Sequence, residues 1–369
     1  MAITFSNGFT TSAITNALYP FTSFTFTSAR ASGSLGPSGS AILAAYTGSS
    51  SGSYFSNSQY FTTGSFQGYQ IWTVPETATY EIETAGARGG TSTAYSGSLT
   101  WGNGAVIKAN VPLTQGQKLM MVVGQYTDGN GANASQNATY QGFGGGGGSF
   151  VTISGSVPTP LVVAGGGGGS GRYSVYLAST FTGRSGSTSP SGSASVRGAL
   201  GGGAGSGGRS HINSASVVSG NGYDGGAGAG FSGNGQNGDA TYTRPFIGGT
   251  YGEGGNSFLS GSKGGNASTS WGAPTTYAAS WGGFGGGGSG NGIIVGGGGG
   301  GYSGGGGAWG NSSPQSDGGG GGGSYVAPTV ISLATSNGLY DGLSTFSGSS
   351  ITNLNTYNSG MGYIKITKL

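Results

Sequence analysis

Gly296-Gly-Gly-Gly-Gly-Gly-Tyr-Ser-Gly-Gly-Gly-Gly307, followed closely by Gly318-Gly-Gly-Gly-Gly-Gly323, is the stretch whose reading decides the fold. Runs of the same kind occupy 144–148, 165–169 and 285–288, so a glycine field extends from Gly144 to Gly323. Glycine has no Cβ and loses more conformational entropy on ordering than any other residue. Such a field is either a flexible tether or an array in which bare backbones approach more closely than side chains permit.

Composition pulls both ways. With 89 glycines and 11 prolines in 369 residues and no strict three-residue repeat, the chain has the look of a low-complexity spacer. Yet only 6% of residues are charged and 11% are aromatic, whereas solvated disordered chains are rich in charge and poor in rings. Aromatic residues also punctuate the field, at Phe143, Tyr173, Tyr176, Phe231, Trp271, Trp281, Phe284, Tyr302 and Trp309. Order is therefore expected. An all-glycine segment is a poor α-helix and a weak strand. Polyproline II segments leave every N–H and C=O pointing outward, so several side by side exchange N–H···O and Cα–H···O bonds where no Cβ intervenes. The expected form is a bundle of polyglycine (polyproline II) helices, with the segments between runs emerging as loops at its ends.

The flanks read as strands. Phe21-Thr-Ser-Phe-Thr-Phe-Thr27 is aromatic and β-branched. A serine before Ala41-Ile-Leu-Ala-Ala caps a short helix pinned by Ile42, Leu43 and Tyr46. Tyr69-Gln-Ile-Trp-Thr-Val74 turns through Pro75 into Thr79-Tyr-Glu-Ile-Glu-Thr-Ala85, with Tyr80, Ile82 and Thr84 on one face and Glu81 and Glu83 on the other. Ala105-Val-Ile-Lys-Ala-Asn-Val111 is joined through Pro112 to Lys118-Leu-Met-Met-Val-Val123, whose apolar continuity suits a strand buried on both faces. Ser149-Phe-Val-Thr-Ile-Ser154 and Pro160-Leu-Val-Val-Ala164 adjoin glycine runs, and Ile364 and Ile366 alternate with Lys365 and Thr367 in the last segment. A terminal strand of this kind usually completes a sheet begun earlier. The expected organisation is an attachment arm at 1–20, a discontinuous β domain at 21–164 and 324–369, and the glycine bundle at 165–323.

Net charge is +3 and the charges are scattered singly, which points away from nucleic acid as the main partner. No apolar stretch approaches the roughly eighteen residues of a membrane span. The amino terminus lacks the pattern of a secretory signal, and the chain has no cysteine. A protein made in a host cytoplasm that works outside cells fits both features, as virion components do. The sequons at Asn133, Asn137, Asn266 and Asn311 are read as accidents of a Ser/Thr-rich sequence.

The series running from Tyr69 to Gly90, then Gly104-Ala-Val, Leu113-Thr-Gln-Gly-Gln, Val123-Gly-Gln125, Gly144-Gly-Gly-Gly-Gly-Ser-Phe-Val151, Leu161-Val-Val-Ala-Gly-Gly-Gly-Gly-Gly169, the runs of 296–307 and 318–323, and Gly362-Tyr-Ile-Lys-Ile resembles a known module. It is the glycine-rich module of the anaplastic lymphoma kinase and leukocyte tyrosine kinase receptor ectodomains. Phe24-Thr-Phe-Thr27, Leu35-Gly-Pro37 and Ala44-Ala-Tyr46 resemble the version found in virion and tail-fibre proteins of marine phages, cyanophages especially. The likeness extends over 21–369. It implies a mainly β fold, a tumour necrosis factor-like jelly-roll β-sandwich with an inserted bundle of polyglycine helices. The receptors' cysteines, signal segment, membrane span and kinase domain have no counterpart in the sequence, which points away from growth-factor reception. Among phage tail-fibre adhesins, loops between glycine helices bind the host surface.

The chain offers little for catalysis. His211, its one histidine, sits in the polar stretch Arg209-Ser-His-Ile-Asn without a visible partner, so no nucleophile, base and carboxylate set is legible. Glu81 and Glu83 read as a solvated strand face. G-x-G-x-x-G matches carry no weight in this background, Lys263 is not followed by Ser or Thr, and Asp128-Gly-Asn-Gly-Ala-Asn133 lacks the closing Glu of a calcium loop. No cofactor or metal is read from the sequence.

Binding is better represented. Tyr173, Tyr176 and Arg184 fall in one break of the field, Tyr242, Arg244, Phe246 and Tyr251 in a second, and Trp271, Tyr277 and Trp281 in a third. Such residues offer contact area and hydrogen bonds at modest entropy cost, and aromatic faces suit sugars. The competing role for each ring is to seal a bundle end or pack on the sandwich. The leading expectation is a non-enzymatic virion protein, a tail-fibre or adhesin module recognising a host surface glycan or outer-membrane protein. Its other partners would be virion proteins and copies of itself, since fibre proteins are commonly trimers, without nucleic acid and without membrane insertion. The rivals are a purely structural virion appendage or decoration protein and, further off, an extracellular ligand-binding ectodomain.

Overall fold

The computed structural model of the chain describes residues 22–48, 52–91, 100–127, 141–172, 180–210, 223–238, 251–266, 280–291, 295–310, 317–327 and 357–369. Strands are numbered in chain order. One antiparallel sheet has the order β1 (Ser23–Phe26), β15 (Tyr363–Lys368), β4 (Ala78–Ala85), β5 (Val106–Leu113). The other has the order β14 (Tyr325–Val326), β9 (Thr159–Ala164), β8 (Ser149–Ile153), β6 (Lys118–Val122), β3 (Gln70–Thr73), β2 (Phe61–Thr63). The fold is thus mainly β. The strands that follow the glycine field, β14 and β15, pair with strands that precede it: Tyr325 lies opposite Val163, and Ile366 lies between Phe24 and Ile82.

Alternation decides which side chains enter the core between the sheets. Tyr80 and Ile82 of β4, Ile107 and Ala109 of β5, and Ile364 and Ile366 of β15 meet Trp72, Leu119, Met121 and Val151 from the second sheet, all buried. The helix Gly39–Thr47 closes this core with Ile42 and Tyr46, four residues apart on one stripe, and the Ser38 hydroxyl caps it by accepting from the Ala41 N–H. Leu43, expected to help pin the helix, is exposed, because so short a helix turns a single stripe inward. β5 runs on through Pro112, which the sequence suggested as a connection; its position at the edge of the sheet tolerates the missing N–H.

The six-stranded sheet is a middle layer. Its second face carries Tyr69, Val122, Phe150 and Val163, and these pack against Phe231, Phe258 and Phe284 from the glycine field. A register shift between Val151 and Thr152 leaves both Leu161 and Val162 on the sandwich side while Val163 faces away. Hydrophobic runs in β6, β8 and β9 follow from this two-sided burial.

The described glycine segments form an array held by backbone hydrogen bonds. In 296–301 the donors cycle with a period of three: Gly296 and Gly299 donate to Asp317 and Gly320, Gly297 and Gly300 to Phe143 and Gly146, and Gly298 and Gly301 to Gly226 and Ala229, at 2.8–3.1 Å. The carbonyls of the same run accept from Gly166, Gly169, Gly288, Gly305 and Ala308. A Cβ at any of these six glycines would lie 2.0–2.4 Å from a neighbouring carbonyl oxygen. Side chains are excluded by contact, and the buried N–H groups are satisfied between segments rather than within them. Two small strand pairings complete the picture, β7 (Gln141–Gly142) with β10 (Gly171–Arg172) and β11 (Thr180–Phe181), and β12 (Tyr223–Asp224) with β13 (Trp309–Gly310).

Candidate functional site

The array has two unlike ends. At the sheet end the chain reverses through turns that carry Phe231, Phe258, Phe284 and Tyr302. Phe258 stacks on Phe231 and tilts against both Phe150 and Tyr69, and Tyr302 stacks on Tyr325 of β14 at 4.2 Å. The Tyr69 hydroxyl, kept protonated because burial pushes its pKa up, bonds the Phe258 carbonyl and the Ser262 hydroxyl. At Gly285 and Gly286, φ values of 102° and 84° let one such turn close. Rings at this end are used up in holding the array to the sheet.

At the far end, residues that flank the undescribed stretches meet one another. Gly142 pairs with Gly171, Gly171 with Phe181, Asp224 with Trp309 and Tyr251, and Val295 with Asp317. Ser280 donates to Gly142, Gly238 to Gly252, and the Ser210 hydroxyl to Asn237; the Thr100 and Thr182 hydroxyls are bonded. The described residues that flank 92–99, 128–140, 173–179, 211–222, 239–250, 267–279, 292–294 and 311–316 therefore lie at the end remote from the sheet.

Of the residues read as a binding set, Tyr173, Tyr176, Tyr242, Arg244, Phe246, Trp271 and Tyr277 lie outside the described residues, as do the arm at 1–20, His211 and 128–133. Arg184, Tyr251 and Trp281 are described, and all three belong to the far half of the array. Arg184 is built into it by its main chain, donating to Gly319 and accepting from Gly168 at 2.8 Å, with its side chain exposed. Tyr251 is half-buried and bridges Asp224. Trp281 is half-buried, its carbonyl accepts from the Thr127 hydroxyl, and its indole Nε1 has no partner among the described residues. Comparison with protein-family models and with curated proteins finds no match.

Two charged groups brace this half of the array. Arg88 is buried with its guanidinium 3.7 Å from the Tyr126 ring centroid and 4.6 Å from that of Trp101, and donates to the Gly89 carbonyl, tying three segments together. Asp317 is fully buried at the head of its glycine run. Its Oδ2 accepts from the N–H groups of Arg197 and Trp309 at 3.2 Å, and its own carbonyl accepts from Gly296. Burial pushes its carboxyl pKa up, partly offset by hydrogen bonds from Trp309, Ser195 and Arg197 and by the Arg197 charge. Sequence reading passed over Asp317, although an acidic residue directly before a six-glycine run is a visible signal. It also read Glu81 and Glu83 as merely solvated; they share Lys108 at 3.3 and 2.9 Å, and Tyr363 donates to Glu83. Among the described residues no group of three or more His, Cys, Asp or Glu is placed to hold a metal ion, and no helix is long and apolar enough to cross a membrane.

Proposed function

We propose that this chain is a non-enzymatic virion structural protein, a phage tail-fibre or adhesin module that recognises the host cell surface. In this reading a tumour necrosis factor-like jelly roll carries a bundle of polyglycine helices, and loops at the outer end of the bundle make the contact. The observation that carries it is the division of labour between the two ends of the array. Aromatic residues at the sheet end are consumed in packing, while the described residues that flank the stretches holding Tyr173, Tyr176, Tyr242, Arg244, Phe246, Trp271 and Tyr277 lie at the other. A scaffold braced by backbone hydrogen bonds suits this task, since binding loops work best when displayed from a rigid base. The period of three in the donors of 296–301 supports the polyproline II form. The first twenty residues attach the module to the particle or to a neighbouring copy.

Adsorption of the purified protein to candidate host cells tests the reading, with excess free protein assayed for blocking infection. Saturable adsorption with blocking is expected, and Trp271→Ala with Tyr242→Ala should weaken it without changing the melting temperature. A folded protein that neither adsorbs nor blocks would mean a structural appendage instead.

A further inference from the structure

Cationic residues occur on both the sandwich and the array. Lys108, Lys118, Lys365 and Lys368 lie on β5, β6 and β15 and Arg30 follows β1, whereas Arg88, Arg172, Arg184, Arg197, Arg209 and Lys263 lie on array segments. Arg172, Arg184, Arg197 and Arg209 recur every 12 or 13 residues. From Arg184 to Arg197 and from Arg197 to Arg209, that interval is one passage down the array and back. From Arg184 the chain descends to 187–191, where Ser189 accepts from Ser324 beside β14, and returns to the turn closed by Gly198 and Ser195. From Arg197 it descends again to the turn closed by Ser206 and Gly203 and returns to Arg209. Each traverse brings an arginine back to the far half of the array.

Their segments are neighbours. Arg184 donates to Gly319 and Val196 to Gly318, and Arg209 donates to Leu200. The Arg184 and Arg209 side chains are exposed and that of Arg197 is half-exposed, with Val196 and Leu200 exposed beside them. Acidic groups of the described array face inward: Asp224 and Asp317 are buried, and half-buried Glu253 accepts from the Asn266 N–H. Two lysines of the sandwich are tied to carboxylates instead, Lys108 to Glu81 and Glu83, and Lys368 to Glu76. Among the described residues, Arg184 and Arg209 therefore present positive charge to solvent on this side of the far end of the array. It is carried by guanidinium groups, whose planar fork matches carboxylate, sulfate and phosphate oxygens.

We infer that this end of the array takes an anionic polysaccharide, with Arg184 and Arg209 contacting its charged groups and Val196 and Leu200 its apolar sugar faces. The inference rests on the adhesin reading of the same end and names its partner. A few guanidinium groups spread over adjacent segments suit a polymer with one charge every sugar or two, and fall short of the dense phosphates of nucleic acid.

The test immobilises dextran sulfate, alginate and neutral dextran, and measures retention of the full chain. Binding to at least one of the two anionic polymers and not to neutral dextran is expected; which one binds tells sulfate from carboxylate. Retention should fall roughly ten- to fifty-fold from about 50 to about 200 mM salt, as for two or three released counterions. The double variant Arg184→Ser/Arg209→Ser should lose at least about tenfold, while Lys118→Ser/Lys365→Ser, which removes the same charge from the sandwich, should bind as the parent does; such losses match charge-assisted contacts of the expected strength. Equal loss in both double variants, no loss in the arginine variant, binding to neither anionic polymer, or tighter binding to duplex DNA would each overturn the inference. Cell adsorption by the same proteins separates the two readings. Adsorption that survives Arg184→Ser/Arg209→Ser sinks the polysaccharide contact and leaves the adhesin standing, whereas a parent protein that never adsorbs sinks both.

Discussion

The rings of Phe150 and Phe258 lie 5.1 Å apart, centroid to centroid, joining β8 of the middle sheet to a turn of the glycine array across 107 intervening residues. Phe258 is at the centre of the second apolar cluster, which is the seam between an alternating sheet and an array almost without side chains.

Truncating that ring tests how far the array depends on the sheet. Phe258→Ala should cost about 3–5 kcal/mol, as for other buried phenylalanines. Denaturant unfolding gives the value, and hydrogen exchange gives its distribution. Faster exchange in 226–230 and 262–265, with β4 and β15 unchanged, is the expected pattern, because those strands face the other core. Uniform acceleration would mean that sandwich and array unfold as one unit.

The steric origin of the glycine runs can be tested at single positions. A Cβ at Gly299 would lie 2.2 Å from the Gly166 carbonyl oxygen, while one at Gly203 would meet nothing closer than the Ser191 hydroxyl at 3.9 Å. Gly299→Ala is expected to lose about 3 kcal/mol or more, at the upper end of overpacking costs. Gly203→Ala should be neutral or gain about 0.4–1 kcal/mol from the stiffer unfolded chain. Paired melting curves decide; equal effects would remove close backbone packing as the reason for glycine.

Two acidic residues should titrate with opposite sign. Asp317, whose carboxyl is pushed up chiefly by burial, fits the fold better when protonated. Its share of stability is complete below the ordinary Asp value of about 3.9 and declines as pH rises through the raised folded value. Asp317→Asn should abolish that decline, and Asp317→Ala should cost about 2 kcal/mol or more by stranding the Arg197 and Trp309 N–H groups. For Glu83, burial pushes the carboxyl up but hydrogen bonds from Lys108 and Tyr363 and the charges of Lys108 and Lys365 outweigh it, so the folded value is lowered. Its contribution is present above the ordinary Glu value of about 4.3 and is lost as pH falls through the folded one. Glu83→Gln should therefore flatten the acid limb. Unfolding midpoints from about pH 3 to about pH 8 read both slopes.

Much of the sandwich was legible in the sequence. The alternation of Tyr80, Ile82 and Thr84 marked the buried face of β4, Ile364 and Ile366 marked β15, and the unbroken apolar run of β6 announced a strand covered on both sides. Ser38 marked its helix start through its hydroxyl. These signals are local, because side-chain direction repeats every two residues in a strand and capping acts within one turn. Leu43 was misjudged because the sequence does not say which stripe of a helix meets the core.

Sequence alone also determined that the glycine runs, if ordered, must pack as bare backbones, since no other segment tolerates a carbonyl where a Cβ would stand. Only the tertiary structure decided which run lies beside which. Gly300 donates to Gly146 and accepts from Gly166, and nothing in six identical glycines distinguishes those partners from any others. The choice is made by the ends: Phe231, Phe258 and Phe284 fasten one end to the sheet, and the lengths of the passages between turns bring Asp317, Trp309 and Arg197 together near the other. A backbone without side chains carries no address, so its neighbours are chosen by whatever the flanking residues bury and bond.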